Sequence, residues 1–529
     1  MRVPVSWLRE YVALGDVDLS VDGPGASGGP LTVADLDAAL VRSGLEVEAV
    51  HRVGEGLRGP IVIGEVTEIV ELPGFKKPIR HCQVDVGEAQ PRSIVCGARN
   101  FTVGDRVVVS LPGAVLPGGF EIASRTTYGQ LSDGMICATD ELGMGPRTDG
   151  ILLLTRDEFT GSRLGDDAIA VLGLTDVVFE LAITPDRGYC FSIRGVAREL
   201  SHVLGVQFTD PARVTVPAAT PQSPYPVRIE DSVDQDSPDK GGPGCDRFAG
   251  RVVRGLDPTR PTPWWMRRRL LLAGVRSISL AVDVTNYLMF ALGQPMHAYD
   301  LAALRGQMVV RRAAAGEKLH TLDGVQRVLD PQDLVIADDT GPIGLAAVMG
   351  GATTEVTAAT TQLLIESAHW DPVTAARTAR RHQLPSEASK RFERGVDTEL
   401  GPVAAQLAVR LLTELAGGTA DPLVLDLDTH RSAAAIPLDP GLADRVVGVG
   451  YGPRVVAQVL ERIGCRVGRG DSATWSVTPP SWRGDLTDPI DLVEEVVRLQ
   501  GYDAVPSVLP PAPASPGLSA SLRGLRSVS

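Results

Sequence analysis

Residues 484–503, GDLTDPIDLVEEVVRLQGYD, place Asp485, Asp491, Glu494 and Glu495 within eleven residues. Carboxylates this close repel one another unless a cation or a basic partner offsets their charge. Hard oxygen ligands of this kind suit Mg²⁺, which takes few carboxylates and keeps several waters. The plainer reading is the solvated face of a helix, with a Glu494–Arg498 pair. A second group lies in DVTNYLMFALGQPMHAYD, where His297 follows Gln-Pro-Met in a polar loop and shares the stretch with Thr285 and Asn286. A third is Glu366, which closes the apolar run of LLIESAHW, either as a strand-edge carboxylate or as an acceptor in a pocket. Residues 377–394 carry six Arg/Lys against Glu387 and Glu393. That charge suits phosphate contact or a solvated amphipathic helix.

These side chains need elements to position them. Asp488 and Pro489 open the acidic helix. Ile490, Val493, Val496 and Val497 fall on one side, with Asp491, Glu494 and Glu495 opposite, and Asp485 folds back from the preceding loop. MRVPVSWLREYV predicts a short strand and a helix capped by Ser6. Thr32 caps a helix with an apolar stripe of Leu36, Leu40 and Val41, ended by Gly44. From 61 to 150, short β-type runs punctuated by Gly, Pro and Asp predict a small barrel. Residues 211–245, rich in Pro, Gly, Asp and Ser, predict a linker or surface insertion. A mixed α/β stretch follows to about 400, then a compact helix–strand–helix region and a Pro-rich linker from 506.

Composition bounds the rest. The chain of 529 residues predicts several domains, and 43% hydrophobic residues provide for sizeable cores. A net charge of −14 argues against a generally basic nucleic-acid or membrane coat. Six scattered cysteines without CxxC or HxxxH spacing argue against structural zinc and fit a reducing compartment. No signal peptide and no apolar run of about 18 residues is present, so the expected location is the cytoplasm. There is no GxxxxGK[ST] nucleotide loop.

MRVPVSWLREYV, IVCGARNF, LSDGMICATDELG, VDVTNYLMFALGQPMHAYD, RTARRHQLPSEASKRFERGVD and SWRGDLTDPIDLVEEVVRLQGYDAVP occur in one order. Together they resemble the β chain of bacterial phenylalanine–tRNA ligase, from residue 1 to about 506. The resemblance implies an α+β multidomain chain. It comprises a split N-terminal α/β domain (1–39 and 151–208), an OB-type tRNA-binding β-barrel (40–150) and a linker or insertion (209–245). A mixed α/β editing domain (246–402), a small winged-helix-like α+β domain (403–505) and a Pro-rich linker with a short tail (506–529) complete it. Family members continue into a synthetase-like domain and an anticodon-binding module, so the match is to a C-terminally truncated subunit.

The resemblance also implies roles. Asp485, Asp491, Glu494 and Glu495 match Mg²⁺ ligands shared with the α subunit. His297 and Glu366 match catalytic positions of an editing pocket that includes Arg276, Thr285, Asn286, Gly350, Ser386 and Ala388. Ser386 stands where Thr is expected, and Ala347 where Gly is common. Lys76, Lys77 and Arg80 match a tRNA-contacting loop, although residues 42–150 carry 11 Arg/Lys against 14 Asp/Glu. The expected assembly is an (αβ)₂ heterotetramer that binds tRNA(Phe), with no DNA or membrane partner. ATP is a substrate at the α-subunit site. Competing readings are a free-standing trans-editing hydrolase and a non-catalytic tRNA-binding or assembly module.

Overall fold

The computed structural model describes residues 1–529 except 22, 27–28, 77, 146–149, 156–157, 160, 232–242, 470–473, 508–516 and 528–529. It divides into two compact units, residues 1–434 with 479–486, and residues 435–478 with 487–529.

In the first unit, strand Asp176–Ala182 runs antiparallel between Arg2–Pro4 and Glu46–Val53. Segments far apart in sequence therefore share one sheet. Helix Val33–Arg42 packs beside it. Thr32 caps this helix by accepting from Asp35 N–H (3.3 Å), and Asp35 returns the contact to Thr32 N–H (2.9 Å). Leu36 and Leu40 are buried as the apolar stripe predicts, but Val41 is 56% exposed. The stripe is narrower than its sequence because only one side of this helix meets the core. Ser6 is not a cap. It lies inside helix Val5–Leu8 and donates to Asp176 Oδ2 (2.5 Å).

Between these segments, a second sheet has the order Met135–Ile136, Arg106–Ser110, Ile61–Leu72, Ile79–Asp85, Arg92–Cys96, with Leu153–Leu154 also paired to Arg106–Ser110. Alternation along Ile79–Asp85 sends Cys82 and Val84 into its core.

Two further sheets frame the candidate site. One holds His297–Asp300, Gln362–Trp370, Cys245–Arg254 and Thr419–Ala420 in that order, with Leu425–Asp428 also on the third strand. The other orders Val227–Ile229, Met308–Arg312, Leu334–Asp338, Gly341–Leu345 and Met349–Gly350. Phe248, Tyr299, Met308, Ile336, Leu364 and Trp370 belong to one apolar core. Burying each such side chain contributes about 1.5–3 kcal/mol. The segment expected as a linker therefore contributes an edge strand, Val227–Ile229, because its alternate apolar residues pair with Met308–Val310.

The second unit has strand Trp475–Thr478 between Ile436–Leu438 and Arg466–Gly468, with helices Leu442–Val447, Gly452–Arg462 and Pro489–Gln500. The tail, expected only as a short remnant after the Pro-rich linker, is helical over Ala520–Arg526. No helix among the described residues is long and apolar enough to cross a membrane.

Candidate functional site

Helix Leu280–Leu292 ends on Gly293, whose φ of +93° is the left-handed stop that glycine adopts without Cβ strain. Gln294 follows, almost fully buried, and donates from Nε2 to the carbonyls of Ala368 and Pro295 (both 3.0 Å). This pins the Gln-Pro-Met loop before strand His297–Asp300. That strand runs antiparallel to Gln362–Trp370 with His297 directly opposite Glu366. Directly opposite residues share a sheet face, and diagonal neighbours stay within reach of long side chains. Hence Tyr299 also reaches Glu366. Its hydroxyl donates to Glu366 Oε2 (2.5 Å), and its ring meets the His297 ring edge-on at 4.5 Å.

These three side chains line a cavity of about 80 Å³ together with Gly350, Ala388 and Trp370. Space of that order admits water. Glu366 is 5% exposed and its carboxyl is pushed up to about 7 by burial, against the opposing Tyr299 hydrogen bond. Burial pushes His297 down to about 4, so its imidazole is neutral near pH 7. His297 Nε2 is buried with no hydrogen-bond partner among the described residues. Such an atom is costly to leave unsatisfied and well placed to hold a water or ligand atom.

The two titrations act oppositely on stability. Between about 4.5 and 7, folded Glu366 keeps a proton that the unfolded chain releases, so stability falls as pH rises. Between about 4 and 6.5, folded His297 lacks a proton that the unfolded chain binds, so stability rises with pH. Above pH 6.5 only the Glu366 slope remains. Thermal melts should show the unmodified chain losing stability relative to Glu366→Gln between pH 6.5 and 7.5; parallel curves would refute this.

Gly350 is required by close approach. A Cβ there would lie 2.4 Å from His297 Cε1 and 2.7 Å from Nε2. Gly350→Ala should displace the imidazole and destabilise the fold by about 1–3 kcal/mol through overpacking. A melt and a nuclear magnetic resonance shift of the His297 ring would check it; an unmoved ring would be the contrary result.

Of the sequence-predicted pocket residues, the structure brings together His297, Glu366, Gly350 and Ala388. Ser386 instead caps helix Glu387–Arg394, accepting from Ser389 N–H (3.0 Å) and donating to the Val348 carbonyl (3.2 Å). Thr285 turns its hydroxyl back to the Val282 carbonyl (2.8 Å). Neither Thr285 nor half-buried Asn286 lines the cavity. Arg276 is exposed and borders a separate cleft of about 600 Å³ with Arg260, Arg267 and the first residues of helix Leu280–Leu292. Ala347 lines the small cavity with a φ of +66°, a conformation costly for a residue with a Cβ. Tyr299 was missed as a site residue. Its spacing two residues from His297 was the available signal, since alternate strand residues share a face.

The basic residues are largely engaged internally. Arg381 pairs with Asp333, Arg380 with Glu393 (2.7 Å), and Lys390 and Arg391 with Glu387 (2.8 and 2.9 Å). Arg80 pairs with Glu71 (2.9 Å) and donates to the Phe101 carbonyl (2.9 Å). Lys76 is exposed in the loop before strand Ile79–Asp85. Lys77 lies outside the described residues.

The acidic residues are likewise committed. In the first unit, Arg483 donates to both oxygens of Asp485 (2.8 and 2.6 Å). In the second, Asp491 accepts from the N–H groups of Asp488 (2.8 Å) and Thr487 (2.9 Å) at the helix start. Glu495 is fully buried and paired with Arg498 (2.7 Å), while Glu494 is exposed. The sequence placed Glu495 on a polar face. The helix is instead contacted by helices Leu442–Val447 and Gly452–Arg462 and by strand Ile436–Leu438, which widens its buried arc. Among the described residues, no group of three or more His, Cys, Asp or Glu side chains is placed to hold a metal.

Family models match three stretches: a "Putative tRNA binding domain" at 61–163, a "B3/4 domain" at 244–417 and a "tRNA synthetase B5 domain" at 436–502. The chain is similar to the phenylalanine–tRNA ligase beta subunit of Streptomyces avermitilis, with 53% identity over 98% of this chain and 60% of that protein. The beta subunits of Thermobifida fusca and Nocardia farcinica are 50% and 51% identical over 100% of this chain, which covers 61% and 62% of their lengths. The chain thus spans about three fifths of the curated relatives it matches.

Proposed function

We infer that this chain, which belongs to the family of phenylalanine–tRNA ligase beta subunits, binds tRNA(Phe) beside an alpha subunit and hydrolyses tRNA(Phe) mischarged with tyrosine at the His297–Glu366 cavity. The observation that carries this reading is a buried carboxylate with no basic partner among the described residues, opposite a buried neutral imidazole, within the B3/4 match. The sheet within 61–163 is read as an OB-type tRNA-binding barrel, and the domain around 436–502 as winged-helix-like. The assembly is an (αβ)₂ heterotetramer in the cytoplasm.

Tyrosine differs from phenylalanine by one hydroxyl, which an apolar pocket rejects only about 10²-fold. Glu366 supplies an acceptor for that hydroxyl, and phenylalanine leaves it unpaired. Ionised Glu366 is the stronger acceptor, so kcat/KM for the tyrosyl ester rises with pH through about 7. His297 is too weak a base near pH 7 for efficient proton abstraction. Its role is to hold the attacking water at Nε2, the atom left without a partner. ATP and phenylalanine are handled by the alpha subunit, and no step here is assigned to magnesium.

Deacylation of Tyr-tRNA(Phe) and Phe-tRNA(Phe) by the purified chain, with His297→Ala as control, tests the hydrolysis. Selective loss of tyrosine supports it, and hydrolysis of neither ester overturns it. Co-purification with an alpha subunit tests the assembly. Without alpha, the chain is expected to show no ATP–pyrophosphate exchange, and measurable exchange would contradict that division of labour.

A further inference from the structure

Tyr299 has no solvent exposure and is held between the two sheets that frame the cavity. Its single hydroxyl hydrogen goes to Glu366 Oε2, and among the described residues no hydrogen bond to Oε1 is formed. The charged and titratable groups facing Glu366 are few. Strand His297–Asp300 presents His297 and Tyr299, and strand Cys245–Arg254 presents the buried thiol of Cys245. Helix Glu387–Arg394 and the strands from 334 to 350 contribute apolar side chains and glycine to the cavity. A glutamate has several rotamers, and the hydrogen bond from Tyr299 favours the one seen here.

We propose that Tyr299 is the positioning residue for hydroxyl selection, tying one oxygen of Glu366 so that the other is presented to the phenol of a bound tyrosyl group. This rests on the proposed hydrolysis at the same cavity. The ligand's phenol donates to Oε1 while Tyr299 keeps Oε2, so the carboxylate accepts two hydrogen bonds at once. Both favour its ionised form, as acceptance of hydrogen bonds does for any carboxylate. A phenylalanyl group leaves Oε1 unpaired. The chain's own tyrosine thereby completes the acceptor that reads the tyrosine of the substrate.

The test is Tyr299→Phe, which keeps the buried ring and removes the hydroxyl. The ratio of kcat/KM for Tyr-tRNA(Phe) over Phe-tRNA(Phe) should fall about tenfold, carried by KM for the tyrosyl ester with kcat little changed. That is the scale of one hydrogen bond to a charged group. The pH midpoint of the tyrosyl reaction should move upward by about one unit. Independently of any hydrolysis, the protonated-carboxyl infrared band of Glu366, identified by its absence in Glu366→Gln, should titrate higher in Tyr299→Phe. Tyr299→Met, also without the hydroxyl but more adaptable in packing, covers failure of the phenylalanine variant to fold. An unchanged selectivity ratio with an unchanged infrared midpoint overturns the proposal. If the unmodified chain hydrolyses neither ester, the hydrolysis reading falls, and the infrared midpoint alone decides whether Tyr299 controls Glu366.

Discussion

Glu366→Ala is expected to lower kcat/KM for Tyr-tRNA(Phe) deacylation about 100-fold, while Phe-tRNA(Phe) hydrolysis changes less than about threefold. A hydrogen bond to a charged acceptor contributes about 1.5–3 kcal/mol, and each 1.4 kcal/mol is a factor of ten. The loss falls on tyrosine because only its phenol has a hydrogen to give. Alanine also strands the Tyr299 hydroxyl, which is buried and donates nowhere else. That adds a stability penalty of about 1–3 kcal/mol, visible in the melt. Glu366→Gln separates the two effects, since its amide still accepts from Tyr299. Equal losses for both esters would place Glu366 in the ester chemistry or the fold rather than in selection.

Asp333→Ala is expected to have the largest effect on stability, about 3–5 kcal/mol. Asp333 has no exposure and gathers four donors: Arg381, His382 Nε2 (2.7 Å), the Thr378 hydroxyl (3.2 Å) and the Asp330 N–H (2.9 Å). Removing the carboxylate leaves a largely buried imidazole without its hydrogen-bond acceptor and the Arg381 guanidinium with the longer Asp330 contact (3.8 Å) in place of its close pair. Three of these donors belong to Pro372–Arg381 and the residue after it, and the chain then runs through Ser386 to Ala388 at the cavity. The melting temperature should drop by roughly 3–5 °C for a unit of this size, with hydrogen exchange rising first across 372–394. Asp333→Asn, which keeps two acceptor positions on one oxygen, should lose less. A shift under about 2 °C would show that the cluster is stabilised by other contacts.

Two helix starts are legible in the sequence because their cause is local, whereas Ser6, also a local signal, is not a cap. Thr32 caps its helix because its hydroxyl meets an N–H three residues on. Asp488 and Pro489 mark a helix start for the same short-range reason. Glu366 and His297 were recognisable as unusual from their neighbours, an apolar run and a Gln-Pro-Met loop. Charge partners were not legible. Arg483 with Asp485 and Glu495 with Arg498 are near in sequence, but burial decides that the carboxylates turn inward to arginine.

The sequence by itself determined where helices Val33–Arg42 and Pro489–Gln500 begin, because residue type and short spacing act within a turn. Tertiary structure alone decided that His297, Tyr299 and Glu366 meet and that Arg276, Thr285, Asn286 and Ser386 stand elsewhere. The reason is strand register: about 70 residues separate His297 from Glu366, and a slip of one residue would turn Glu366 to the other face of the sheet.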